Sequence, residues 1–244
     1  MHDDEQGDEQ ARLTRRDSLL KLGGLAATAL GTGAWGAASA LGDDADVAGS
    51  GPAAVASGLV SCVLAPELSE GPFYVARERQ RRDITERRPG VALLLALTVV
   101  NASTCRPIRN AAVDIWHCDA LGVYSGARAG KPGMNFLRGV QRTNARGIAT
   151  FRTIYPGWYE GRAIHIHVKV HVRGNVVHTG QLFFPAAVSN AVYKKSPYRR
   201  HGTTPDTRDA DDSIFRNGGS KGMLALRKAR SGYVGSIAMG VHVA

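Results

Sequence analysis

The stretch GRAIHIHVKVHV, residues 161–172, constrains the fold of this chain more than any other. Read with a period of two, Ile164, Ile166, Val168, Val170 and Val172 fall on one side and Ala163, His165, His167, Lys169 and His171 on the other. Side chains alternate across a strand, so such a segment is a β-strand with a continuous apolar face turned to a core. The apolar side explains itself by burial. The histidine side calls for a second explanation.

Other segments agree with a β-rich chain. The runs VALLLALTVVN (91–101), AAVDIWHCD (111–119), GIATFRTI (147–154) and NVVHTGQLFF (175–184) are short, rich in branched or aliphatic residues, and separated by Gly, Asn and Pro. MLALRKA and YVGSIAMGVHV close the chain. With no long 3.6-residue stripe among them, the expected fold class is all-β, an antiparallel β-sandwich with long active-site loops. Two irregular stretches stand out: YSGARAGKPGMNFLRG and roughly residues 185–222. Long ordered loops on a β scaffold commonly hold binding residues, although the second can equally be read as plain surface.

The first 61 residues read differently. Residues 12–40 place Arg15 and Arg16 before a Gly- and Ala-rich apolar run that ends in Ala38, Ser39 and Ala40. Paired arginines, a mild apolar stretch and a small-x-small end make residues 1–40 a twin-arginine-type signal peptide, with export as the expected localisation. The run contains too many glycines to make a good membrane span. Residues 41–61 form a Gly/Ala/Ser-rich linker, and residues 62–244 the folded domain.

The chain holds 31 Lys and Arg against 21 Asp and Glu; four of the basic and six of the acidic residues lie in 1–40, leaving a net charge of +12 on the remainder. That charge favours anionic small molecules or polyanionic surfaces. Nucleic acid is not expected, because no binding motif accompanies the charge. None of the three cysteines has C-x-x-C spacing, so a thiolate zinc site is not expected. Cys118 reads as a buried free thiol. Cys62 and Cys105 lie in turn-like surroundings and are the favoured disulfide pair in an oxidising compartment.

An H-x-H pair on one strand face lets His165 and His167 reach a single metal ion, but alone it is a weak signal. The glutamate that a cupin needs is missing from the following VKVHV. His171 shares the face yet lies about 13 Å beyond His167, too far to join. The informative neighbours are upstream tyrosines: Tyr159 in TIYPGWYEG, six residues before His165, and Tyr124 at the end of DIWHCDALGVY. A phenol ionises near pH 10, so it becomes a metal ligand only beside a highly charged cation. Two phenolates and two imidazoles suit ferric iron better than zinc.

Taken in order, PELSEGPFY, DIWHCDALGVY, FLRGVQRTNARGIATFRTIYPGWY and RAIHIHVKV resemble the intradiol ring-cleaving dioxygenases. The resemblance runs from about Cys62 to Phe184 and is nearest to exported, single-domain bacterial members. It implies non-haem Fe(III) held by Tyr124, Tyr159, His165 and His167, with Tyr155 a rival to Tyr159. It also implies that Arg162 binds substrate and stabilises negative charge, and that Gln181 and Tyr74 border the substrate. The substrates implied are a small aromatic diol and O2, the ring being cleaved between its two hydroxyl-bearing carbons to a muconate-type diacid. Export suggests catechols from lignin or other plant phenolics, with possible association with lignin or plant polysaccharide. Which tyrosine moves aside for substrate, and the oligomeric state, stay open. Two other readings remain at this point: a non-catalytic β-sandwich binding module for lignin or polysaccharide, and a zinc or copper hydrolase.

Overall fold

A computed structural model describes residues 64–76 and 78–243. The expected signal peptide, the linker and Cys62 lie outside the described residues. Eight strands form two four-stranded sheets: β1 (Ala92–Asn101), β2 (Ala112–Trp116), β3 (Arg138–Arg142), β4 (Ile148–Ile154), β5 (His165–Val172), β6 (Asn175–Phe183), β7 (Ala225–Ala229) and β8 (Gly232–Val241). One sheet has the order β4-β1-β8-β7 and the other β3-β2-β5-β6. This is the expected sandwich, with one departure from antiparallel pairing. β1 and β8 run parallel over their whole length. The long connection between them permits a parallel pairing, which a hairpin cannot make.

The alternation in each inner strand supplies the core. Leu93, Leu95, Leu97 and Val99 of β1 meet Val113 and Ile115 of β2 and Ile166, Val168 and Val170 of β5 in one buried cluster. The other side of β5 is not open to water, as a simple alternation would suggest. Lys169 is only 7% exposed. Residues 69–76 run across that face, with the Lys169 ammonium paired to Glu70 and lying 3.9 Å above the Tyr74 ring.

β3 was not among the expected strands, because its sequence RGVQR carries two arginines and a glycine. It pairs with β2 from Ala112↔Arg142 to Trp116↔Arg138. The Arg138 guanidinium is buried and donates to Ser125 Oγ (2.8 Å) and to the Ser125 carbonyl (2.5 Å). Residues 185–222 are a built part of the domain. They contain helices α1 (Ala186–Tyr193) and α2 (Ser213–Arg216) and three 3-10 turns. Val192, Tyr193 and Tyr198 are buried in the main core. The Tyr198 hydroxyl donates to the Tyr155 carbonyl at 2.7 Å and accepts from Val91 N at 3.0 Å. Cys118 is free and buried, as expected, just past the end of β2. Cys105 is disulfide-bonded.

The connections at the two ends of the sandwich differ. At one end the chain turns through residues 117–137, 155–164 and 184–224. At the other, β3 and β4 are joined by residues 143–147 and β5 and β6 by Arg173 and Gly174 alone. The first end carries the sequence-predicted chemistry.

Candidate metal centre

Two glycine contacts bring the tyrosine-bearing loops together. In DALGVY, Gly122 has φ +80 and a Cβ there would lie 2.4 Å from the Trp158 carbonyl oxygen. In YPGWY, a Cβ on Gly157 would lie 2.6 Å from the Asp119 carbonyl oxygen, the same oxygen to which Gly157 N donates at 2.9 Å. Neither position has room for a side chain. Asp119 holds the first loop by accepting from Leu121 N and Val123 N. The interlock sets the Tyr124 and Tyr159 rings edge to face at 5.6 Å.

β5 supplies the rest. The Tyr159 hydroxyl lies 3.1 Å from His165 Nε2, and His165 Nε2 lies 3.1 Å from His167 Nε2. The Tyr124 ring centroid is 6.1 Å from that of His167. The structure thus brings together all four donors picked out from the sequence. His165 Nδ1 faces the Ala163 carbonyl at 2.6 Å; a carbonyl only accepts, so Nδ1 carries the proton and Nε2 presents a lone pair to the centre. Trp116 lies parallel to His167 (4.9 Å, 3°) and fixes that ring's plane.

The polar balance of this cluster is unfinished. The Tyr159 hydroxyl, Arg162 Nη1 (3.5 Å) and His167 Nε2 all crowd the single lone pair of His165. The Tyr124 hydroxyl and His167 Nδ1 are buried without a hydrogen-bond partner. Burial, and then Arg162, push His165 down to about 3. Burial, and then His165, hold His167 well below 6.5. Burial, and then Cys118 and Tyr159, hold Tyr124 well above 10, and burial raises Tyr159. Neutral imidazoles and an unpartnered buried phenol are the donor chemistry of a cation site. Ionising both phenols in this dry setting requires a strongly charged ion to offset the desolvation. Among the described residues no group of three or more His, Cys, Asp or Glu is placed to hold a metal.

Arg162 stands three residues before His165 and is held on both sides. Nε donates to Asp212 Oδ2 at 3.0 Å and Nη2 to Gln181 Oε1 at 2.5 Å. Gln181 in turn donates to the Ser69 carbonyl at 2.8 Å. Asp212 was missed in the sequence. It is 2% exposed, accepts also from Ala163 N (2.9 Å), and caps α2 through Ile214 N (2.8 Å). Its carboxyl lies below the ordinary range: burial opposes ionisation, but the Ala163 amide and Arg162 outweigh it. An S/T/D cap before a short helix was visible in DDSIF. Nothing in the sequence said that the cap reaches Arg162, 50 residues away.

In EGPFY, Gly71 and Phe73 contact the donors directly, and Tyr74 packs against the same cluster from one layer out. Gly71 backs onto His167, where a Cβ would lie 3.0 Å from Cε1. Phe73 stacks on Tyr124 at 4.5 Å. The structure places Tyr74 against Trp116 (4.9 Å) and Lys169, one layer out from the donors. Burial, and then Asp114, push its phenol up to about 12. Asp114 itself is buried, and burial, and then Glu78, push it up to about 7. Tyr155 points elsewhere: its hydroxyl is 2.7 Å from Ser189 Oγ, within the core. His117 is likewise structural, bridging the Cys118 carbonyl (2.8 Å) and Thr153 Oγ1 (2.7 Å).

Fold and donor set together define a class: a β-sandwich that gathers two tyrosines and two histidines at one end. Comparison with known proteins narrows it. The family model described as Dioxygenase matches residues 69–189. The intradiol ring-cleavage dioxygenase of Tetranychus urticae is 35% identical, with 74% of this chain and 95% of that one covered at a TM-score of 0.71. The dioxygenase domain of a dioxygenase–carbohydrate-binding protein fusion from the cellulolytic bacterium Streptomyces sp. SirexAA-E is 30% identical, covering 74% and 99% at a TM-score of 0.59. Catechol 1,2-dioxygenase 2 of Acinetobacter lwoffii is 34% identical over 98 residues, and the match spans only 35% of that relative. The chain belongs to the intradiol ring-cleavage dioxygenase family.

Proposed function

We propose that this chain is an exported, ferric non-haem dioxygenase that inserts O2 into a catechol-type aromatic between its two hydroxyl-bearing carbons, giving a muconate-type diacid. The observation that carries the reading is the convergence of Tyr159 Oη, His165 Nε2 and His167 Nε2 at 3.1 Å spacings beside an unpartnered Tyr124 hydroxyl. When bound by these four residues, Fe(III) supplies a Lewis acid and a template for both oxygens of the diol. Binding of the diol releases two protons, and a tyrosine oxygen can accept one of them. Tyr159 is the more exposed of the two phenols and has Arg162 beside it, so its Oη is the favoured acceptor. Arg162, fixed by Asp212 and Gln181, offsets negative charge on the ionised ring; because it is already oriented, little reorganisation is needed during reaction. Phe73, Trp116 and Tyr124 wall the centre with aromatic surface and limit water.

Export rests on the Arg15–Arg16 leader, and an exported enzyme of this kind would meet catechols released from lignin or other plant phenolics. The test is optical and respirometric. Protein loaded with Fe(III) should be red-brown from a tyrosinate charge-transfer band and should consume O2 with catechol. Tyr124→Phe or Tyr159→Phe should shift or abolish the band, and Tyr155→Phe should leave it in place. Colourless protein holding one equivalent of zinc would overturn the reading.

A further inference from the structure

The opposite end of the sandwich holds a cavity of about 550 Å³. Its walls come from the β1–β2 connection, the end of β3 and the β5–β6 turn. Arg109, Arg142 and Arg173 line it, with His171 at the side and Ile108 and Val172 as apolar surface. The charge there is one-sided. Residues 101–111, 138–149 and 169–178 contain Arg106, Arg109, Arg138, Arg142, Arg146, Arg173 and Lys169 and not one Asp or Glu. Arg138 and Lys169 face away toward Ser125, Glu78 and Glu70. Arg109, Arg142 and Arg173 are exposed, and none of the three has an ion pair among the described residues.

Two details show that the arginines are placed rather than scattered. Arg142 Nη1 donates to the Asn110 carbonyl at 3.2 Å and lies 3.4 Å from Asn110 Oδ1, which holds its guanidinium at the cavity. Arg173 occupies the first position of a two-residue hairpin turn, with φ +52, followed by Gly174 at φ +87. That turn favours Asn, Asp or Gly at its first position, and a long side chain there is disfavoured. Arginine in that place puts a guanidinium at the cavity despite the local backbone preference.

We propose that this turn end is a second, non-catalytic binding site for an organic ligand carrying two or more carboxylates. The planar guanidinium pairs with carboxylate through two parallel hydrogen bonds, and three of them around one cavity select for more than one such group. The apolar surface of Ile108 and Val172 suits a carbon skeleton. No Phe, Tyr or Trp lines the cavity, so the stacking that single-stranded nucleic acid requires is missing. Two sources share this chemistry: a free di- or tricarboxylic acid, and the uronate units of an acidic polysaccharide.

The test is calorimetric titration of the full chain with citrate, oligogalacturonate, inorganic phosphate and a neutral cello-oligosaccharide, at low and high salt. Binding of citrate, oligogalacturonate or both is expected, weakening with salt. Arg109→Ala/Arg142→Ala/Arg173→Asn should weaken it by at least about tenfold with the melting temperature retained. Oligogalacturonate binding more tightly than citrate identifies the polysaccharide source, and citrate alone the free acid. Binding of neither overturns the proposal. So does equal affinity for phosphate or for the neutral oligosaccharide, or binding unchanged in the variant. Should the triple variant fail to fold, Arg109→Glu at an exposed turn gives the same reading alone. The titration involves no ring cleavage, so its failure leaves the catalytic reading untouched.

Discussion

β5 carries histidines toward both ends of the sandwich, and the two ends treat them differently. His165 and His167 are 2% and 1% exposed, because three long connections fold over them. His171, four residues after His167, is half-buried beside an arginine-lined cavity. At the first end the loops interlock through Gly122 and Gly157, exclude water and leave the Tyr124 hydroxyl and His167 Nδ1 buried without a partner. At the second, the β3–β4 and β5–β6 turns are short, the β1–β2 connection forms a cavity wall, and cationic side chains stay in solvent. One strand with one alternating pattern yields a dry donor cluster at one end and a wet charged one at the other. What folds over the strand makes the difference.

Removing a donor at the closed end should have the largest effect. His167→Ala is expected to lose the visible band and all O2 uptake, read by metal analysis and oxygen electrode; retention of both would erase the contrast between the ends. Next comes the support behind Arg162. Asp212→Ala frees the Nε side of the guanidinium while leaving every donor in place. It should lower kcat/KM about 10- to 100-fold, the usual cost of losing an orienting partner, with the band retained. Loss of the band together with activity would instead make Asp212 a prop for the whole centre.

The interlock itself is tested by Gly157→Ala. A methyl 2.6 Å from the Asp119 carbonyl oxygen must push the loops apart. A destabilisation of about 1–3 kcal/mol is expected in urea unfolding, with a shifted band. At the open end, Asn144 Oδ1 accepts from Arg146 N at 2.9 Å and Ile148 N at 3.0 Å to close the β3–β4 turn. Asn144→Ala should cost about 1 kcal/mol of stability and leave kcat unchanged. A change in kcat there would mean that the ends are coupled.

Much of the closed end was legible in advance. The alternation in 161–172, the two tyrosines in turns, the H-x-H pair and Arg162 are local patterns, and the four donors do converge. The sandwich followed from the strand runs. What escaped notice was non-local. β3 hides behind arginines that look exposed, until Ser125 takes up Arg138. Residues 185–222 look loose, because the core contacts of Val192, Tyr193 and Tyr198 depend on where distant strands lie. The contacts of Gly71 and Phe73 with His167 and Tyr124 were not legible in EGPFY, since which side of an irregular segment faces a site has no period to reveal it.

The sequence by itself determined the strand periodicity, the family's donor types and a basic charge balance, because each is carried by neighbouring residues or by simple counts. Only the tertiary structure decided that Asp212 would orient Arg162, that Gly122 and Gly157 would let two loops touch, and that Arg109, Arg142 and Arg173, from separate elements, would share one cavity. Those relations join residues far apart in the chain. Their distances are set by the packing of two sheets and by the steric room between backbones, which no local pattern encodes.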